Sequence, residues 1–457
     1  MVNFSAAKSF IIIGLFGLVS FGLAIQNFKN RGTIYHQDAA GYYLYLPSVF
    51  IYHDLDQISF HSKMDSLRDW YLIPQVNGRV LNKYPIGVAI LEFPFFILAH
   101  SYVLFCSPSF LADGYSLPYQ ISGIVSNIFW VIVGLILLRQ YLRNYFDDRL
   151  IFFSLLGLTF GTNLYYYTIY EPGMSHTYSF FLFSGVLYYT QRWYQLLRKG
   201  DLFALALCSG LILVTRPVNF PILFIPALWW LGAPNWRHYI PNIWNTHRAT
   251  ILQALCLFLL FPLLQLAYWR YISGSFFVDT YPNEYFDFSD PHIFQGLFSF
   301  RKGWWVYTPL VSLALIGFIP FWKSRRNLAT LVLFIIALAV YITFSWKQWW
   351  YGGSFGCRPM VEYLAVLTLP FIYLLNYLFM KGNKVYSGLL VLIMVLFITL
   401  NIFQSYQYSK GILHWDRMTK IYYFKVFGKT QIDPDFYEKY LIDEKEYWDE
   451  MAEISKP

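Results

Sequence analysis

Apolar runs close to 20 residues long recur from one end of this chain to the other, and no other feature narrows its fold as far. A run of that length crosses the ~30 Å hydrocarbon layer of a bilayer when it is helical. No water reaches that layer, so the backbone must satisfy its own hydrogen bonds there; continuous runs do so as α-helices, whereas a barrel needs short alternating segments. Candidate spans fall at 9–27, 85–105, 118–138, 150–169, 176–191, 203–232, 251–269, 305–322, 328–345, 359–379 and 385–402. The stretch 203–232 is interrupted by Thr215, Arg216 and Pro217, which reads as two short helices meeting at a turn. The expected fold is all-α, a polytopic transmembrane helix bundle of roughly 11–13 crossings.

Composition agrees with that reading: 57% of the residues are hydrophobic and 13% charged, about half the charged share of a soluble domain. The net charge of +8 does not point to nucleic acid, because the basic residues sit in short groups beside apolar runs. Arg198 with Lys199, and Lys323 with Arg325 and Arg326, are such groups, the pattern of cytoplasmic loops that meet anionic lipid. Cys106, Cys208, Cys256 and Cys357 are scattered, without CxxC pairs or metal-ligand spacing. Residues 9–25 lack a clear cleavage site and read as an uncleaved anchor.

Loop charges give an orientation. Basic residues place 139–149, 192–201, 233–250, 323–326 and 381–384 in the cytoplasm, and leave 170–175, 270–304, 346–358 and the tail outside. Residues 28–84 also fall outside, but a crossing at 85–105 then puts the next loop on the wrong side. A re-entrant or surface-lying segment within 39–105 removes the mismatch. The expected division is a transmembrane domain over 1–402, whose 28–84 loop carries interfacial helices, and a short external tail over 403–457. The charged, periodic end of that tail, from "YLIDEKEYWDEMAEISKP", reads as a solvated helix.

Chemistry-bearing residues concentrate in the external loops. In "GTIYHQDAAGYYLYLP", Asp38 follows the first span and is flanked by His36, Tyr42 and Tyr43. A buried carboxylate there can deprotonate an attacking hydroxyl; the alternative is a helix cap before "AAGYYLYL". In "YYYTIYEPGMSHTYSFF", Glu171 and His176 flank a Pro-Gly turn at the mouth of a span. Two acids from separate loops suit one as base and the other as acceptor-orienting group or ligand to a divalent cation; no cofactor is otherwise indicated, and no metal site is assigned. External cations accompany them: Arg79 and Lys83 in "NGRVLNKYPIG", Arg301 and Lys302 in "FSFRKGWWVYTP", and Arg358 in "GGSFGCRP". Such residues hold anionic groups, Arg in bidentate fashion to phosphate, or else snorkel to lipid headgroups. Aromatic residues reach 22% of the chain and crowd "SWKQWWYGG", where Trp349, Trp350 and Tyr351 offer faces for sugar rings beyond an ordinary interfacial belt. Phosphate-loop, zinc-protease, nucleophile-elbow and dinucleotide motifs are absent from the sequence.

The order of these elements, an acid after the first span, then "NGRVLNKYP", "LFSFRKGWWVYTPL" and "WYGGSFGCRP", resembles the GT-C superfamily of polytopic membrane glycosyltransferases, which includes protein O-mannosyltransferases and aminoarabinose transferases. The similarity runs from about residue 9 to 380. It implies a GT-C type bundle with external loop helices, a polyprenyl phosphate sugar donor, and a glycan, lipid or protein acceptor. It also implies an active site facing the periplasm or exterior of a cytoplasmic membrane. Asp38 would be the loop acid, Glu171 a second acid, and Lys83 and Arg358 donor-phosphate residues. The chain departs from the pattern where Ala39 follows Asp38 and where Tyr84 separates Lys83 from Pro85. The competing class is a transporter or flippase of lipid-linked glycans, which shares the bundle but often carries repeated halves; none is found here.

Overall fold

A computed structural model describes residues 8–60, 71–232, 236–281, 284–380 and 384–454. Part of the amphipathic middle of the 28–84 loop, and parts of the basic loops 233–250 and 381–384, lie outside the described residues. The structure is 71% helical with almost no strand. In chain order its first elements are α1 (Lys8–Arg31), α2 (Asp38–Tyr43), α3 (Tyr45–Phe50), strands β1 (Leu72–Pro74) and β2 (Val80–Asn82), and α4 (Gly87–Phe105). There follow α5 (Leu117–Leu142), α6 (Asp148–Phe160), α7 (Leu164–Ile169), α8 (Ser175–Leu196), α9 (Lys199–Thr215), α10 (Phe224–Leu228) and α11 (Trp236–Ser273). Next come α12 (Ile293–Phe298), α13 (Trp304–Tyr307), α14 (Leu310–Ser324), α15 (Arg326–Phe344), α16 (Leu364–Met380) and α17 (Lys384–Ser409). The tail adds α18 (Lys420–Val426), α19 (Pro434–Glu438) and α20 (Glu444–Ile454).

Among the described residues, six helices are long and apolar enough to cross a membrane: α1, α4, α5, α15, α17 and the Pro241–Ser273 part of α11. That makes the chain compatible with a multi-pass membrane protein. Other expected spans take different forms for local reasons. The 150–169 run is broken between α6 and α7, where Asn401 of α17 donates to the freed carbonyls of Phe160 and Thr162, both at 2.9 Å. The 203–232 run breaks where the sequence indicates: α9 stops at Thr215, Arg216 is extended, and Pro217 opens a 3-10 turn that runs to Leu223. α8 is 22 residues long but rich in Tyr, Ser and Thr, and every residue from 175 to 187 is buried. A helix surrounded by protein on all sides has no need of a lipid-facing stripe.

The chain forms two compact units. The first comprises 1–13, 142–167 and 281–457. Here α14 lies so close to α16 that a β-carbon on Gly317 would collide with the Pro370 carbonyl, the small-residue contact by which lipid-embedded helices approach. The second comprises 14–141 and 168–280. Its core gathers Tyr35, Tyr43, Tyr45, Phe96, Tyr119 and Tyr268 with aliphatic neighbours. Beside the expected loop helices, the 28–84 loop contains an antiparallel hairpin, Leu72 opposite Asn82, closed by a turn in which Gly78 has φ +79°.

One end of the second unit collects the termini of most of its helices. The Ile34 N–H just after α1 donates to Gln120 near the start of α5 at 2.9 Å. Arg31 bonds Glu171 just ahead of α8, and Arg216 at the end of α9 reaches Ser175. α4 is held along its length: Gly87 abuts Thr215 at the end of α9, Leu91 accepts from Trp130 of α5 at 2.9 Å, and His100 pairs with Tyr119 at 2.6 Å. The loop beyond α4 closes on the same region through Tyr43 and Tyr52, which donate to the carbonyls of Gly114 and Asp113. Both flanks of α4 are thus tied to other elements of this unit.

Candidate functional site

The second unit brings Asp38, Glu171, His36, His176, Tyr42 and Lys83 into one neighbourhood. Gln37 takes the N-cap position of α2 with a left-handed backbone (φ 50°) and no side-chain cap bond, so Asp38 is the first helical residue and not the cap. Its side chain is buried, as is that of Lys83. Two contacts tie their segments together: Asn82 donates to the Gly41 carbonyl at 2.7 Å, and the rings of Tyr42 and Tyr84 lie 4.5 Å apart. The turn ahead of α8 closes the other side. Gly173 leaves no room for a β-carbon against Ala39, and Ser175 donates to the Tyr42 hydroxyl at 3.1 Å.

Cations line the same region. Arg31 pairs with Glu171 at 2.8 Å, and His36 Nε2 lies 3.4 Å from the other carboxylate oxygen. Arg216 places Nη1 3.4 Å from both Ser175 Oγ and His176 Nε2. Glu171 is thus held in an ion pair, which suits it to orienting its surroundings more than to taking a proton. Arg31 and Arg216 were not among the residues the motifs singled out. Arg216 did announce itself as a charge interrupting an apolar run, whereas Arg31 reads as an ordinary basic helix end.

Two expected members of the site are used elsewhere in this unit. Tyr43 stacks on Tyr35 at 3.6 Å and sits in the core, where burial pushes both phenols well above their ordinary pKa. Adjacent helical residues point about 100° apart, so Tyr42 can face the site while Tyr43 faces inward. Arg79 lies over the Tyr271 ring at 4.3 Å with Asp56 3.5 Å away, and Tyr271 itself donates to Asp56 at 3.2 Å. It fastens the hairpin to the end of α11.

The remaining residues belong to the first unit, where Arg301, Lys302 and Trp350 are buried. Arg301 sits over the Trp350 ring, its Cζ 3.6 Å from the ring centre, with its Nη1 2.9 Å from Glu450 and its Nε 3.5 Å from Asp416. Tyr447 donates to Asp416 at 2.7 Å. Lys302 donates to the carbonyls of Ser354 and Trp415. Burial lowers its pKa to about 7; Asp416 opposes that shift, and Arg301 and Arg358 add to it. Arg358 starts the short 3-10 turn that ends at Met360. Tyr351, in a left-handed conformation (φ 58°), donates to the Thr343 carbonyl at 2.8 Å, and Trp349 is half-buried with its ring 6.4 Å from that of His292.

Arg301 and Lys302 are therefore held by carboxylates and carbonyls of the chain, with three of those partners, Trp415, Asp416 and Glu450, supplied by the tail. The terminal helix α20 is correspondingly more than a solvated cap, since Tyr447 and Ile454 are buried. Among the described residues, no three His, Cys, Asp or Glu side chains are grouped to hold a metal ion. No protein-family model and no curated protein matches this chain.

Proposed function

We propose that this chain is a membrane glycosyltransferase that moves a sugar from a polyprenyl phosphate donor to an acceptor hydroxyl on the external face. The observation that carries the reading is the burial of Asp38 on a segment packed against both the Lys83 segment and the Glu171–His176 turn, at one end of a bundle of apolar helices. Asp38 takes the acceptor proton as that oxygen attacks the anomeric carbon. The bond from that carbon to the phosphate oxygen breaks, and the polyprenyl phosphate leaves with the electron pair. Lys83 offsets the charge that builds on the departing phosphate. Arg216 holds His176 and Ser175 in place around the acceptor, and the Arg31–Glu171 pair fixes the turn that carries them. One displacement with no covalent intermediate inverts the anomeric centre. Because the phosphate is already a good leaving group, positioning, one base and charge stabilisation suffice.

Purified protein incubated with a panel of polyprenyl phosphate sugars and candidate acceptors tests the reading. Transfer that depends on Asp38 is the expected result. Failure of every donor to be consumed, with the protein folded, would return the transporter class to first place.

A further inference from the structure

The first unit contains a cavity of about 580 Å³ formed wholly by the end of α17 and the tail after it. That size is within the ~300–1,000 Å³ range of small-molecule sites. None of the residues assigned a role in transfer lines it. We propose that this cavity is a saccharide-binding site.

The lining decides the ligand class. Tyr406 lies in the last turn of α17 and Lys410 just after it, His414 comes from the loop that follows, and Thr430, Gln431 and Glu438 are further polar residues of the lining. Ile412, Ile432 and Leu441 add apolar surface, but a lipid chain would leave the polar groups beside them without partners. The lining also lacks the several phosphate-binding cations and glycine-rich turn that a nucleotide needs. A sugar presents hydroxyls that both donate and accept, together with an apolar ring face, and this lining answers each. Tyr406 offers an exposed ring. Gln431 offers an amide that donates and accepts. Glu438 offers carboxylate oxygens, one of them on Arg417.

His414 supplies a donor of fixed direction. Its Nδ1 accepts the backbone N–H groups of Asp416 at 3.1 Å and Arg417 at 2.9 Å. An imidazole nitrogen that accepts carries no hydrogen, so Nε2 must carry it, and no protein acceptor for Nε2 occurs among the described residues.

The cavity is also preformed. Gln407 donates to the carbonyls of Val426 and Lys429 at 2.9 and 2.8 Å, which pins the loop leading to Gln431. Tyr422 donates to the Ile412 carbonyl at 3.0 Å, and the Ile442 N–H donates to the Arg417 carbonyl at 2.9 Å. A site built before its ligand arrives loses little freedom on binding.

Calorimetry on the detergent-solubilised full chain tests the inference, with maltotriose, N,N′-diacetylchitobiose and digalacturonate as probes. At least one probe should bind. Tyr406→Ala and Gln431→Ala should each weaken it about tenfold, the worth of ~1.4 kcal/mol. Tyr406→Phe, which keeps the ring, and Asp38→Asn, which leaves the cavity intact, should bind as wild type. Absence of binding by all three probes, or equal affinity in both alanine variants, overturns the proposal. If sugar transfer is nevertheless found, the transferase reading survives that loss. If a probe binds with the expected dependence while no donor is ever consumed, the cavity stands and the transferase reading falls.

Discussion

A carboxylate serves as a general base when it is shielded from water yet within reach of the hydroxyl it deprotonates, and Asp38 is buried at the start of a short helix beside cationic segments. Asp38→Asn keeps the shape and removes the proton acceptor, so turnover should fall by about 10²- to 10⁴-fold while donor binding persists. Equal loss of donor affinity and turnover would assign Asp38 to binding instead. A second residue offers a pH signature independent of catalysis. Burial, reinforced by Arg417 and Lys302, lowers the pKa of His414 from 6.5 to about 4. Between those values the unfolded chain binds a proton that the folded tail does not, so stability is full above pH 6.5 and declines as pH falls toward 4. His414→Asn retains an acceptor for the two N–H groups but cannot titrate. Protease resistance of the tail between pH 7 and 4 should therefore fall less in this variant than in wild type. A matching decline in both would locate the acid sensitivity in the neighbouring carboxylates.

At the scale of elements, helix contacts set the tolerances. Gly317 of α14 faces the Pro370 carbonyl of α16 with no space for a β-carbon, whereas Gly388 of α17 has open space around it. Gly317→Ala should cost about 1–3 kcal/mol, because a backbone carbonyl cannot step aside as a side chain can. Gly388→Ala should be neutral or slightly stabilising, since alanine loses less entropy in a helix. Thermal midpoints in detergent decide this, and equal midpoints for the two variants would contradict the packing. The same elements show what sequence could reveal. Hydropathy finds long helices such as α5 and α17, and the proline after Arg216 marks the end of α9, because apolar runs and missing N–H groups are local properties. Helix α8 is marked in the sequence as the 176–191 run, but its complete burial is not, because a helix that protein covers on every face carries no amphipathic stripe. The site was legible in part for a similar reason. Asp38, Glu171 and His176 lie close to span ends, but Arg31 and the commitments of Arg301 to Asp416 and Glu450 depend on contacts across more than 100 residues. Nothing in the local sequence distinguishes an arginine that will meet a substrate from one that will meet the chain's own tail.

At the scale of the whole chain the sharpest question is where α4 leaves it. Hydropathy alone makes this helix a crossing, at 19 largely apolar residues. If it crossed, the hairpin before it and the loop after it would be on opposite sides of the bilayer. Its contacts lead to the prediction that it returns to the side it left. Gly87 meets the end of α9, His100 meets the start of α5, and the following loop accepts hydrogen bonds from Tyr43 and Tyr52. All of these belong to the end of the second unit that holds Asp38. Val76 in the hairpin turn and Leu111 in the loop after α4 are exposed and suit single-cysteine probes, as does Gly200 at the start of α9. In a background with Cys106 and Cys256 replaced by serine, Val76→Cys and Leu111→Cys should react with a membrane-impermeant maleimide from the same side. Gly200→Cys should react from the opposite side, because α8 carries the chain 22 residues away from the site before α9 begins. Reaction of residues 76 and 111 from opposite sides would make α4 a true crossing. It would also dissolve the gathering of helix ends around Asp38, and the proposed site would have to be sought elsewhere.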